Sequence, residues 1–66
     1  MAEDKMLKFF ENENLSEHLQ VVSKPFGDLA RHVVANIERG PERTVALRKL
    51  LEAKDAAVRA VVYPAG

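Results

Sequence analysis

The residues with the clearest potential for chemistry lie at the predicted start of the last helix, in the segment GPERT at positions 40–44. A helix start offers backbone N–H groups without intrahelical partners and the positive end of the helix dipole, and both favour anions. Arg43 and Thr44 add side-chain donors, and Arg48 lies one turn beyond Thr44 on the same face. The glutamate of this segment opposes an anion, and its proline removes one backbone donor. The pattern indicates a candidate phosphate site, with a solvated first-turn arginine as the alternative for Arg43.

A lysine interrupts the apolar face of the same helix. At about 100° per residue, the apolar side chains gather into one stripe, formed by Leu47, Leu50, Leu51, Ala57, Val58 and Val61. Lys54 falls in the middle of this stripe. Either its stem packs while its ammonium reaches water or a carboxylate, or the ammonium is held at an oligomer interface for an anionic ligand.

Two consecutive phenylalanines near the N-terminus cannot share one environment. Consecutive residues of a helix point in different directions, so Phe9 and Phe10 cannot both face the same core. One ring is expected inside, and the other is either buried at an oligomer interface or available to stack on a nucleobase. Lys24, in the turn-like segment SKPFG at 23–27, is a candidate for a phosphate contact, with a solvated lysine as the alternative.

Composition argues against several classes of function. Ten Lys and Arg residues balance ten Asp and Glu residues, whereas binders of DNA or RNA polymers usually carry an excess of positive charge. There is no cysteine, and His18 and His32 lie in different segments without an obvious hydroxyl partner, so neither catalysis nor a metal site is expected.

The apolar runs are too short to cross a membrane, and the acidic N-terminus is unlike a secretory signal peptide. We expect a non-enzymatic cytoplasmic protein without a cofactor.

The first of three predicted helical segments covers residues 3–22. Asn14 and Glu17 have the spacing of a capping box, which predicts a short helix over about 15–22. The segment fits either two short helices or an arm followed by one helix.

The second and third segments predict two amphipathic helices. Residues 24–38 have apolar side chains at helical spacing, with Ser23 as the N-cap, Pro25 in the first turn and Gly40 as the C-terminal stop. Residues 41–62 begin with a proline, are rich in strong helix formers and end before another proline. A link of about two residues makes neighbouring helices antiparallel. The predicted fold is all-α, with a short N-terminal helical segment followed by an antiparallel αα-hairpin, in a single domain.

Size predicts self-association. A chain of 66 residues buries only about 60% of the surface that it exposes when unfolded, and without disulfides or metal the remaining source of stability is oligomerisation. The last helix also carries small residues on one flank, which permit close helix packing or simply reflect helix propensity: Ala46, Ala53, Ala57 and Ala60. A compact homo-oligomer is therefore expected.

Residues 23–61 add a resemblance to a known family. SKPFGDLARHVV, the Gly-Pro-Glu-Arg turn and ERTVALRKLLEAKDAAVRA resemble the helical-hairpin domain of phage anti-CBASS proteins, which is also found in a phage anti-Thoeris protein. The resemblance implies a sponge that binds cyclic oligonucleotide messengers of bacterial immunity without cleaving them, in the cytoplasm of the infected host. It also implies a hexamer that holds cyclic dinucleotides between paired protomers and cyclic trinucleotides where three protomers meet.

The resemblance further implies roles for individual residues. Phe9 or Phe10 would stack on a base and Lys24 would meet the phosphates, although phenylalanine has no hydroxyl to donate. Thr44 and Arg48, followed by Arg43 and Lys54, would line the trinucleotide pocket. A small helical module that binds another protein, through the apolar face of the last helix and the phenylalanine pair, is the alternative function.

Overall fold

The computed structural model describes residues 4–11 and 13–64, and it is helical. A 3-10 helix, Lys5–Phe10, is followed by α1, Glu17–Asn36, and α2, Pro41–Val62, with no strand in this part of the chain. The all-α fold class is thus confirmed. The helix α2 has the range that the flanking prolines predict, because proline is accommodated in the first turn and cannot continue a helix. Residues 37–40 connect the two long helices.

The helices α1 and α2 pack side by side in opposite directions. Near the connection, Arg43 of α2 contacts two carbonyl groups at the end of α1. About one turn further from the connection in both helices, Ala30 and Leu47 are buried in one core. Earlier positions of α1 therefore meet later positions of α2, as in an antiparallel hairpin. Phe10 of the 3-10 helix completes this buried core.

The predicted helix boundary at Ser23 and Pro25 is wrong, because α1 runs without a break from Glu17 to Asn36. A proline inside a helix removes one backbone hydrogen bond and costs about 3 kcal/mol. Ser23, Gly27 and Ala30, on both sides of the proline, are nevertheless buried on one face of α1. Their burial requires one continuous helix, so tertiary packing outweighs the local preference of proline.

The predicted ends of α1 also differ from the observed ones. The N-cap is Ser16 rather than Asn14, so the capping-box pattern is not used. The helix ends at Asn36, and Gly40 has a φ of 175°, which is extended backbone at the N-cap of α2. Gly40 is therefore not a left-handed stop for α1. The side chain of Arg43 instead donates hydrogen bonds to carbonyl groups at that end.

Candidate functional site

The 3-10 helix lies on a face of α1 made of small residues. Ser23, Gly27 and Ala30 are buried there, and Phe10 is buried against the same core. A Cβ atom added to Gly27 would lie 3.2 Å from the carbonyl oxygen of Phe10, which is closer than an ordinary van der Waals contact. Glycine therefore allows the backbone of the 3-10 helix to approach the backbone of α1, and this contact fixes the position of the aromatic pair.

Arg43 holds the beginning of the 3-10 helix. Its Nη2 donates a hydrogen bond of 2.9 Å to Oδ2 of Asp4, and the two side chains are only 6% and 14% exposed. Its Nη1 also donates to the carbonyl oxygens of Val34, at 3.3 Å, and Ile37, at 2.9 Å. A hydrogen bond from the backbone N–H of Met6, and the Arg43 guanidinium, lower the pKa of Asp4 below its ordinary value. One guanidinium thus joins the 3-10 helix, α1 and α2.

Lys54 holds the other end of the 3-10 helix. Its Nζ donates a hydrogen bond of 2.7 Å to the carbonyl oxygen of Phe9 and lies 5.9 Å from the ring centroid of Phe10. Its side chain is only 11% exposed, and the carboxylate of Asp55 lies 3.5 Å from its ammonium. The ammonium therefore has partners within the chain. The stem is thus buried and the ammonium lies near a carboxylate, as in the first of the two expected arrangements, while its shortest hydrogen bond goes to a backbone carbonyl.

Phe9 is the exposed member of the phenylalanine pair. Its side chain is 53% exposed, whereas Phe10 is 1% exposed. The backbone of Phe9 is fixed by the bond from Lys54, and its neighbour is fixed in the core. An aromatic ring that is exposed on a fixed backbone can stack on a planar group at a low cost in conformational entropy.

Two cations and one carboxylate form an exposed cluster on α1. Asp28 accepts a hydrogen bond of 3.0 Å from Nζ of Lys24 and one of 2.6 Å from Nη2 of Arg31. Lys24 is 67% exposed, and Asp28 and Arg31 are both 53% exposed. The hydrogen bonds from Lys24 and Arg31 lower the pKa of Asp28. The cluster carries a net charge of one positive unit at neutral pH and can exchange one of its internal contacts for a phosphate oxygen.

The cluster lies beside the end of the 3-10 helix. Nη1 and Nη2 of Arg31 are both 3.5 Å from the position that a Cβ atom of Gly27 would occupy, and the carbonyl oxygen of Phe10 is 3.2 Å from the same point. The guanidinium of Arg31 and the backbone next to Phe9 are therefore neighbours across Gly27. Positive charge thus lies near the main chain that carries the exposed ring of Phe9; bases stack on such rings, and phosphates pair with such cations.

The predicted phosphate site at the start of α2 is arranged differently from the sequence expectation. Arg43 points into the protein, and the hydroxyl of Thr44 donates a hydrogen bond of 3.2 Å to the carbonyl oxygen of Gly40. Arg48 is exposed. The structure thus separates the predicted set: Arg43 and Lys54 hold the 3-10 helix, while Thr44 and Arg48 remain on the outside of α2.

Sequence reasoning missed Arg31 and the partners of Arg43 and Lys54. Lys24, Asp28 and Arg31 are spaced i, i+4 and i+7, which places them on one helix face. The predicted helix over residues 24–38 already contains this spacing, so the signal was present in the sequence. No local pattern links Asp4 to Arg43, because the bond spans 39 positions of sequence.

Other kinds of site are not found in the described residues. Residues 4–11 and 13–64 hold no group of three metal-ligating side chains. None of the helices in the same ranges has the length and apolar character needed to cross a membrane. Comparisons with models of protein families, with curated proteins and with solved structures gave no match.

Proposed function

We propose that this chain assembles into a homo-oligomer larger than a dimer, a hexamer, that binds cyclic dinucleotides, cyclic trinucleotides or both and holds them without cleavage. In this proposal the protein acts in the cytoplasm of an infected bacterium and keeps immune messengers from their effectors. The observation that carries the proposal is the exposed ring of Phe9, on a main chain that Lys54 holds and near which the guanidinium of Arg31 lies. The likeness of residues 23–61 to the phage anti-CBASS family is its second support.

The cluster suits a cyclic oligonucleotide better than a nucleic acid polymer. A cyclic dinucleotide presents two bases for stacking and two phosphates for cations, within a compact ring. One exposed aromatic ring and two cations that share a carboxylate match such a small ligand. A long polymer would instead require an extended positive surface, and the chain has no net charge.

Self-association is supported by the surface of the single chain. Its accessible area is 4979 Å², whereas a compact protein of this mass exposes about 4,200 Å². The single chain therefore exposes about 800 Å² more than a compact monomer of its mass. Within residues 4–11 and 13–64, seven large side chains of apolar or aromatic type are exposed, namely Phe9, Val21, Leu29, Ile37, Val45, Val62 and Tyr63. A second copy would cover part of this surface and would close the side of a ligand that a single chain leaves open.

The candidate residues divide into two roles in this proposal. Phe9 and Lys24 contact a cyclic dinucleotide, and Thr44 and Arg48 contact a cyclic trinucleotide at a separate place. Arg43 and Lys54 act as positioning residues, because both Nη atoms of Arg43 and the Nζ of Lys54 already donate to groups of the same chain. No residue is assigned to catalysis, and the bound ligand is expected to remain intact.

Isothermal titration calorimetry with cyclic diadenylate and cyclic triadenylate tests the proposal. The parent protein is expected to bind at least one of them, and Phe9→Ala is expected to weaken binding of the dinucleotide about tenfold, because base–aromatic stacking contributes about 1–3 kcal/mol. Tyr63→Ala is the matched control, since Tyr63 is also an exposed aromatic residue. Ligand recovered after heating should have an unchanged chromatographic retention. Absence of binding, or a cleaved product, would contradict the proposal.

A module that binds a different protein is the second candidate, and the exposed apolar side chains favour it. Leu29 and Ile37 are about half exposed, and exposed apolar side chains also suit contact with another protein. This candidate predicts a folded monomer at micromolar concentration that binds no cyclic nucleotide. Light scattering and the calorimetry above distinguish the two functions.

A further inference from the structure

Arg31 is the cation of the α1 cluster to which the proposed function assigns no contact of its own. It lies seven positions after Lys24, and both donate to the same carboxylate, that of Asp28. Asp28 is therefore a shared counterion for two side chains that would otherwise repel each other. This sharing holds the ammonium and the guanidinium at a separation that one carboxyl group can bridge.

The geometry of Arg31 suits an anionic oxygen pair. Its Nη2 reaches Oδ1 of Asp28, so one edge of the guanidinium is aligned by an internal partner. Guanidinium has five N–H donors in a planar fork, which matches the oxygens of a phosphate in the same way as those of a carboxylate. The side chain is 53% exposed, so a ligand can reach it. Its position over Gly27 brings this fork near the carbonyl group of Phe10, the residue that follows Phe9.

We propose that Arg31 is a second phosphate-binding residue of the Phe9–Lys24 site, and that Asp28 occupies the position of the phosphate until a ligand displaces it. This inference rests on the proposed function, because the phosphate belongs to a bound cyclic dinucleotide. The carboxylate keeps both cations ordered in the free protein. On binding, a phosphate oxygen takes over the donors of Arg31 and Lys24, and Asp28 turns to solvent, where half of its surface already lies.

Four variants test the inference by calorimetry with cyclic diadenylate. Arg31→Gln is expected to weaken binding about tenfold, since an exposed charge-assisted bond contributes at the lower end of its usual range. Lys24→Gln should have a similar effect. Asp28→Asn should tighten binding about threefold, because it removes a negative charge close to the phosphate. Arg59→Gln, which changes an exposed arginine of α2, is the matched control and should bind like the parent.

The outcomes separate this inference from the function on which it rests. A parent that binds no cyclic oligonucleotide overturns both. A parent that binds, with Arg31→Gln within twofold of it while Lys24→Gln is weaker, overturns the role of Arg31 and leaves the function intact. Weaker binding by Asp28→Asn overturns the displacement by phosphate, because it shows that the carboxylate supports the bound state. Circular dichroism must show the parent's helical content in each variant.

Discussion

The ammonium of Lys54 provides the sharpest test of how the 3-10 helix is held. Lys54→Met keeps an unbranched stem in the apolar stripe and removes the donor to the Phe9 carbonyl. A hydrogen bond from a charged group contributes about 1.5–3 kcal/mol, and a cation beside an aromatic ring adds about 0.5–2 kcal/mol. Two effects oppose these losses. Removing the ammonium, whose side chain is only 11% exposed, relieves its desolvation cost. Water can also reach the half-exposed Phe9 and donate to the carbonyl oxygen in place of the ammonium. We expect a net destabilisation of about 1.5 kcal/mol.

Thermal unfolding followed by circular dichroism measures this effect. For a domain of this size, 1 kcal/mol shifts Tm by about 4–8 °C, so Lys54→Met should melt about 6–12 °C below the parent. All proteins must be compared at one concentration, because self-association, which is proposed above, would make stability depend on concentration. Lys49→Met is the control, since Lys49 is an exposed lysine of the same helix, and it should melt within a few degrees of the parent. A Tm of Lys54→Met equal to or above that of the parent would show that the bond from Lys54 to the Phe9 carbonyl does not stabilise the fold.

Three further predictions concern the contacts around the 3-10 helix. Phe10→Ala should destabilise the protein by about 3–5 kcal/mol in urea unfolding, because Phe10 is 1% exposed. Phe9→Ala should change stability by less than about 1 kcal/mol. Equal effects would contradict the assignment of Phe10 as the buried ring and Phe9 as the exposed ring. The pKa of Asp4 is lowered in the folded state, so the stabilisation from its carboxylate is fully present above about pH 5 and is lost as the pH falls through the folded pKa. The parent should therefore lose more stability than Asp4→Asn between pH 5 and pH 3. Parallel pH–stability profiles of the two proteins would exclude the ion pair with Arg43. Gly27→Ala should not give the gain in stability of about 1 kcal/mol that is usual for a helix interior, because the new Cβ would lie 3.2 Å from the carbonyl oxygen of Phe10. A stabilised variant would show that the backbones of α1 and the 3-10 helix are not in close contact.

Much of the fold follows from local signals in the sequence. Proline at both ends delimits α2, and the apolar stripe that places Leu47 in the core has a helical period. The start of α1 could not be found in this way, because Pro25 is a local signal for a helix start, whereas the burial of Ser23 and Gly27 is decided by the docking of the 3-10 helix. Packing between distant segments overrides a local preference that costs only a few kcal/mol.

The sequence indicated which residue types the candidate site contains, but it did not indicate how those residues are arranged. The conflict at Lys54, a charge in an apolar stripe, correctly marked an unusual position. Its partner is a backbone carbonyl 45 positions away, and backbone carbonyls leave no trace in side-chain patterns. The same applies to Arg43, two of whose acceptors are backbone carbonyls. Long-range bonds to the main chain depend on the fold itself, so they become visible only with the structure.

Native mass spectrometry of the protein mixed with cyclic diadenylate or cyclic triadenylate tests the central claim most directly. One spectrum reports the number of chains, the number of ligands and the mass of each ligand. The account predicts an assembly of six chains that carries cyclic oligonucleotide of unchanged mass, and a lower ligand occupancy for Phe9→Ala under the same conditions. A folded monomer without ligand, in the presence of an excess of both nucleotides, would contradict the account.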